Sequence, residues 1–194
     1  FSSRRANLEK GTGIGGKSMT VVFGLWALDL GGSPSDSTTS AMIAFLLQNQ
    51  EKDGHFASNL DRPPLEDSIV TSTVVAAYYM QKYAGAEQKS AVERSVNSAK
   101  SWLIQAPTRS QEDRNAKLWG LHLLQAGRER VDRARQVVLG SQRPDGGWGQ
   151  LATLDNDAYA TGQTLFVLHQ SGTPVTDPAY QRGARFLLES QWPD

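Results

Sequence analysis

Val137-Val138-Leu139-Gly140-Ser141-Gln142-Arg143-Pro144-Asp145-Gly146-Gly147-Trp148 decides the fold, because the chain writes it more than once. An earlier copy reads Phe45-Leu46-Leu47-Gln48-Asn49-Gln50-Glu51-Lys52-Asp53-Gly54-His55-Phe56. A third starts at Phe186-Leu187-Leu188-Glu189-Ser190-Gln191 and runs into Trp192-Pro193-Asp194. The shared pattern is three apolar residues, two variable ones, Gln, two variable ones, Asp, Gly, one variable residue and an aromatic. Self-similarity at a fixed period is the mark of a repeat architecture. Gln142 and Gln191 lie 49 residues apart and Gln50 and Gln142 lie 92 apart, about twice that spacing. A degenerate copy is therefore expected between them, and Ser101-Trp102-Leu103-Ile104-Gln105-Ala106-Pro107 fills the place with its Gln-Asp-Gly loop lost.

Outward from these loops the periodicity is helical. Tyr180, Gly183, Ala184, Leu187 and Leu188 fall on one stripe, as do Val92, Val96, Ala99 and Leu103, which predicts outer helices with a single buried face. The segments after the loops differ. Ile69 to Met80 is apolar or small almost all round, as a helix buried on several sides must be. Similar inner helices are expected over Ser18 to Leu30, Glu112 to Gln125 and Asp157 to Gln170. Capping residues stand at their starts (Asp67-Ser68, Ser110, Asp157), and glycines follow several ends (Gly31, Gly127, Gly172). The β-branched run Thr71 to Val75 favours a strand locally, but the length and flanking period favour helix. The expectation is an all-α protein of four helical hairpins, over roughly 18–50, 67–106, 111–142 and 157–191, in one domain covering 1–194.

Bulk composition narrows function by exclusion. Twenty basic side chains balance twenty acidic ones, so no overall field favours nucleic acid or an anionic membrane. The absence of cysteine excludes disulfides, thiolate metal sites and a cysteine nucleophile. No apolar run approaches the roughly 20 residues that span a bilayer, and Phe1-Ser2-Ser3-Arg4-Arg5 is unlike a signal peptide. The compartment is left open.

The Gln-x-x-Asp-Gly-x-aromatic loops, at Gln50, Asp53, Gly54 and Phe56, at Gln142, Asp145, Gly146 and Trp148, and at Gln191, resemble the QW motifs of squalene-hopene cyclases. The alternation of inner and outer helices resembles the α/α-toroid that these enzymes share with protein prenyltransferases. Asp157-Ala158-Tyr159-Ala160-Thr161-Gly162-Gln163, Asp177-Pro178-Ala179-Tyr180-Gln181-Arg182-Gly183 and Arg62-Pro63-Pro64-Leu65-Glu66 look like a bacterial subgroup of cyclase-like repeat proteins. The resemblance implies a toroid whose central cavity binds an apolar isoprenoid or lipid. It needs about six hairpins to close, so four imply an incomplete barrel, either part of a longer chain or completed by a partner.

That resemblance also implies where chemistry would sit. A cyclase of this type protonates a double bond from an Asp-x-Asp-Asp element. The nearest match is Leu154-Asp155-Asn156-Asp157, which puts the amide of Asn156 where the acid would be. Asp155 and Asp157 are the candidate catalytic carboxylates, although capping of the helix that follows is the favoured reading of Asp157. Glu66 and Asp67 hold the same place before another inner helix and join Tyr78, Trp119, Tyr159 and Phe166 as candidate substrate-binding residues, the rings suited to an apolar tail or a developing cation. Catalytic turnover is not supported by these motifs. A prenyltransferase-type zinc site is not expected either, since His55, His122 and His169 are scattered and no cysteine is present; no cofactor is expected. The alternatives are a non-catalytic protein-interaction scaffold and, through Gly11-Thr12-Gly13-Ile14-Gly15-Gly16-Lys17-Ser18, a nucleotide-binding loop. The latter needs a buried strand before Gly11. Arg4 to Lys10 is too polar to be one, which favours a glycine-rich lead-in to the first inner helix.

Overall fold

A computed structural model describes residues 1–57, 59, 62–64 and 66–191. The chain is all-α. Among the described residues there are nine α-helices and no strand, and none of these helices is long and apolar enough to cross a membrane. Two compact units divide it, Phe1–Ala106 and Pro107–Asp194.

The first unit opens with a 3-10 turn and the short helix α1 (Arg5–Glu9), then α2 (Lys17–Leu30), α3 (Ser37–Asn49), α4 (Ile69–Tyr83) and α5 (Lys89–Gln105). Helix α3 starts at a capping box, in which Asp36 accepts from Thr39 N and the Thr39 hydroxyl accepts from Asp36 N at 2.8 Å. Ser68, rather than its neighbour Asp67, caps α4 by accepting from Thr71 N at 3.0 Å. Burial runs almost unbroken along α4: Val70 to Ala77 are all buried, with Tyr78 the partial exception. This is the inner helix that its all-round apolar composition predicts. The strand tendency of Thr71 to Val75 is overridden because an isolated strand would leave both backbone edges unpaired, whereas the helix satisfies them internally.

The second unit repeats the scheme with α6 (Gln111–Leu123), α7 (Arg128–Gly140), α8 (Ala158–Gln170) and α9 (Pro178–Glu189). Ser110 and Asp113 form a capping box on α6, Asp157 caps α8 through Ala160 N at 2.8 Å, and Asp177 caps α9 with Pro178 in its first turn. Helices α6 and α8 pack on each other, with α7 against α6 and α9 against α8. The first unit pairs α2 with α4 and α4 with α5 in the same inner and outer roles. One detail departs from the sequence reading: Gly31 has an ordinary φ of −80°, and Gly32 takes the left-handed conformation at φ +66°.

The repeated loops are what hold successive hairpins together. After α3, Gln50 Nε2 donates to Gly54 O at 2.8 Å across its own turn and to Ser95 O at 2.9 Å in α5, while its Oε1 accepts from Ser95 Oγ. After α7, Gln142 Nε2 donates to Gly146 O and to Ala179 O of α9, both at 2.8 Å, and its Oε1 accepts from Arg182. The glutamine therefore satisfies carbonyls on both sides of the joint. Glycine is required next to it because Gly54 and Gly146 take φ of +105° and +90° and press on backbone. A Cβ there would stand 2.5 Å from Ser98 O and 2.7 Å from Arg182 O.

The aromatic that ends each loop is fully buried, Phe56 in one unit and Trp148 in the other. Each backbone N–H donates to an inner-helix threonine, Phe56 to Thr73 and Trp148 to Thr161, both at 3.0 Å. Trp148 also donates its indole N–H to Val138 O at 3.0 Å. Burial of such a ring contributes on the order of 4 kcal/mol. The variable slot is not idle either. His55 bonds Asp53 at 2.6 Å and lies 5.3 Å from Trp102 of α5. In the second loop Gly147 leaves room for Phe186 of α9, whose ring a Cβ would meet at 3.0 Å.

The unit boundary at Ala106 falls where this loop is degenerate. Between α5 and α6 the sequence Gln105-Ala106-Pro107 passes directly into the next inner helix without the Asp-Gly-x-aromatic turn. Gln191, after α9, is exposed, and the remainder of the third copy, 192–194, lies outside the described residues.

Candidate functional site

Capping accounts for one of the acidic candidates, Asp157. The Asp157 carboxylate accepts from Ala160 N as the α8 N-cap, and Asp155 is exposed in the loop before it. Asn156, between them, donates its amide to Asp145 of the preceding turn. The Leu154–Asp157 stretch thus ties a loop to a helix start. Glu66 forms an ion pair with Arg62 at 2.5 Å, and Asp67 is exposed; Leu65, between them in the resembling motif, lies outside the described residues.

The aromatic candidates share a different logic. Thr73 and Thr161 are equivalent, since each receives the N–H of the loop aromatic. Five residues further along, each inner helix presents a ring that is not fully buried, Tyr78 on α4 and Phe166 on α8. Phe166 is 50% exposed. The partner inner helices do likewise: Trp26 stands ten residues after the N-cap Gly16 of α2, and Trp119 nine after Ser110 of α6. Trp119 meets Phe166 edge-on with centroids 6.2 Å apart. In the first unit Phe23 stacks on Trp26 at 5.7 Å, Trp26 on Tyr79 at 6.4 Å, and Tyr78 meets Tyr79 edge-on at 5.0 Å. Each unit therefore has an aromatic face built from one ring or more on each of its two inner helices.

Polar groups border both faces. In the first unit Lys82 is ion-paired to Asp29, and the Tyr79 hydroxyl is pushed well above its ordinary pKa of 10.0 by burial and then by Asp29. In the second unit Glu112 is almost wholly buried, at 3% exposure. Its Oε2 accepts from Tyr159 OH at 3.0 Å and from Gln163 Nε2 at 2.5 Å. Burial, then the Glu112 charge, push the Tyr159 hydroxyl up in the same way.

Behind Glu112 runs a satisfied polar network. Ser141 donates to Gln111, Gln111 bonds Asn115 and Thr164, and Asn115 donates to Gln163 at 2.8 Å and to Thr164 at 2.9 Å. Such a network fixes the register of α6 on α8, because a slip by one turn would strand its buried amides.

Sequence reasoning singled out Tyr78, Trp119, Tyr159 and Phe166, which lie on or beside these faces, and passed over Trp26, Phe23, Glu112 and Gln163, which the structure places with them. Trp26 was findable from its distance to the helix start. Glu112 was not, because Gln111-Glu112-Asp113-Arg114-Asn115 reads as a solvated helical turn and only its pairing with α8 buries it.

The Gly11–Ser18 loop follows helix α1 where phosphate binding of that type needs a strand. Its Gly11 carbonyl is held by Asn49 and its Gly13 carbonyl by Arg4. At the C-terminal ends of α6 and α8 a groove of about 520 Å³ is lined by His122, Arg128, Val131 and Arg135, among others. There the guanidinium of Arg135 is held by Asp132 and by Ser171 O. No protein family and no curated protein matches the chain.

Proposed function

We propose that the protein is a terpenoid-cyclase-like repeat domain that binds an apolar isoprenoid or lipid against the aromatic faces of its inner helices, without turning it over. One observation carries this reading: every inner helix brings an incompletely buried ring to its third turn, Trp26, Tyr78, Trp119 and Phe166. The rings recur at the same place on each inner helix and stay incompletely buried, with Phe166 at 50% exposure, and a ligand packed against them would account for both features. Rings stacked and edge-on to one another also suit branched hydrocarbon, which takes dispersion contact from ring faces and edges alike. The Asp157 cap and the amide at Asn156 support binding without protonation chemistry.

Mass analysis of solvent extracts from the purified protein tests this directly, together with thermal stabilisation by a squalene-like amine. Co-purified isoprenoid, and stabilisation that is lost in Trp119→Ala and Phe166→Ala, are expected. Absence of any bound lipid together with no stabilisation by any isoprenoid would overturn the reading.

A second reading, an interaction scaffold, rests on the outer helices, where Leu188 of α9 is 69% exposed and Val137 of α7 50%. Concentration-dependent sedimentation that disappears in Leu188→Glu would support it.

A further inference from the structure

The two glutamine joints share one register. Gln50 donates to Ser95 O and its Oε1 accepts from Ser95 Oγ, while Gly54 presses on Ser98 O and the small residue Ala99 follows. Gln142 donates to Ala179 O and its Oε1 accepts from Arg182 at 2.5 Å, while Gly146 presses on Arg182 O and Gly183 follows against Trp148. Each receiving outer helix thus offers one carbonyl to the glutamine, a second carbonyl three residues on to the loop glycine, and then Ala or Gly. Aligned on the apolar triplets that end the outer helices, these positions coincide. They lie 12, 9 and 8 residues before Pro107 in α5 and before Gln191 in α9.

The same alignment puts Arg130, Arg133 and Ala134 of α7, which lie 12, 9 and 8 residues before Gln142, at the receiving positions. Arg133 matches Arg182, and Ala134 matches Ala99. Arg130 and Arg133 are exposed and Ala134 is half-buried. Arg133 pairs with Glu129 one turn away, and because both side chains are exposed the pair is worth little and is readily exchanged. The loop that precedes this hairpin has no glutamine to give α7, since Pro107 stands in that place. Helix α3 fails the same comparison, with the fully buried Met42 where a small residue is needed. Gln191 presents the opposite half. It carries the third copy of the loop sequence, and it is exposed, as is Leu188 before it. Among the described residues, then, one helix is built to receive a glutamine that its own loop lacks, and one glutamine has no receiving helix.

We propose that copies of the chain associate head to tail, the end of α9 with Gln191 in one protomer docking on Arg130, Arg133 and Ala134 of α7 in the next. The Gln191 amide donates to Arg130 O and its oxygen accepts from Arg133, as Gln142 does with Ala179 and Arg182. Ala134 leaves the space that the joint requires. This deepens the interaction-scaffold reading of the preceding section, on which it rests, and is independent of lipid binding. The contact is heterologous, since each protomer uses two different surfaces, so association runs beyond a dimer.

Sedimentation velocity of the full chain across a dilution series tests this, with the average mass expected to rise with concentration. Gln191→Ala removes the staple and Ala134→Leu fills the space that receives it; each should weaken association at least about tenfold. Mixing is the sharper measurement. Gln191→Ala keeps an intact α7 and Ala134→Leu keeps an intact α9 end, so an equimolar mixture should associate again and stop at a heterodimer. Arg133→Ala, at an exposed position, replaces Ala134→Leu in the mixture if the latter does not fold. Association that survives both substitutions, or a mixture that stays monomeric, would overturn the α9-to-α7 contact, while loss of association in Leu188→Glu would leave the scaffold reading standing. A chain that is monomeric at every concentration would overturn both.

Discussion

Gly183 of α9 lies directly against the indole of Trp148, so closely that a Cβ at 183 would stand 2.7 Å from Cζ3. The corresponding place in the first unit shows the complementary choice. There the loop aromatic is the smaller Phe56, and α5 carries Ala99, fully buried, where α9 carries Gly183. Ring size and side-chain volume have been exchanged between loop and outer helix. Gly183→Ala should therefore destabilise by about 1–3 kcal/mol through overpacking. Adding Trp148→Phe should recover part of the loss, giving a coupling term in a double-mutant cycle. Gly162→Ala, in α8 with nothing within 4 Å of the added methyl, is the control and should stabilise by roughly 0.5–1 kcal/mol. Denaturant midpoints of the four variants decide the matter; strict additivity would show that the two positions do not share space.

The glutamine staples are worth more than one hydrogen bond each. Gln142→Ala removes the donor to Gly146 O and Ala179 O together and the acceptor of Arg182. We expect a loss of about 1–3 kcal/mol, the cost of stranding part-buried carbonyls. Gln142→Glu should not restore it, because a carboxylate has no N–H to give. Gln50 binds Gly54 O and Ser95 O in the same way, and its substitution should cost a similar amount. Thermal melts read both.

Gly54 and Gly146 combine positive φ with a backbone carbonyl under 3 Å from any Cβ. Substitution by Ala adds left-handed strain of about 1–2 kcal/mol to a clash that only main-chain movement relieves. Gly54→Ala and Gly146→Ala should thus be the most damaging small substitutions in their loops. Hydrogen exchange should show the neighbouring turns of α5 and α9 losing protection.

Alkaline pH should unfold the protein earlier than ordinary tyrosines would. The hydroxyls of Tyr79 and Tyr159 are raised above 10.0, by burial first and then by Asp29 and Glu112 respectively. The folded state then holds these protons more tightly than the unfolded chain. Their contribution is fully present below about pH 10 and is lost as pH rises from there through the higher folded values. Stability should be flat across the weakly alkaline range and fall above it, with a shallower fall in Tyr79→Phe and Tyr159→Phe. Phenolate absorbance titrating in full at the ordinary value in the folded protein would refute this.

Much of the architecture was legible because it is repeated and local. The inner helices observed at Lys17–Leu30, Ile69–Tyr83, Gln111–Leu123 and Ala158–Gln170 coincide to within a few residues with those expected from period and capping. The loop residues Gln50, Gly54, Gln142 and Gly146 mark a shared device by their spacing alone. Short-range signals of this kind survive in sequence because a cap or a turn constrains residues only three or four positions apart. The helix α1 before the glycine-rich loop was harder to see, since five residues with one buried side chain, Leu8, carry almost no period.

What the sequence by itself determined is the helical class, the repeat and the residues of its joints, each set by spacing along one segment. Only the tertiary structure decided that Glu112 is a buried partner of Tyr159 and Gln163 rather than a solvated first-turn acid, and that Gly183 must be small. Glu112 and Tyr159 are 47 positions apart, and Trp148 and Gly183 are 35 apart. Their relationships arise from helix packing, in which side chains on different helices share volume and desolvate one another. No local pattern records that.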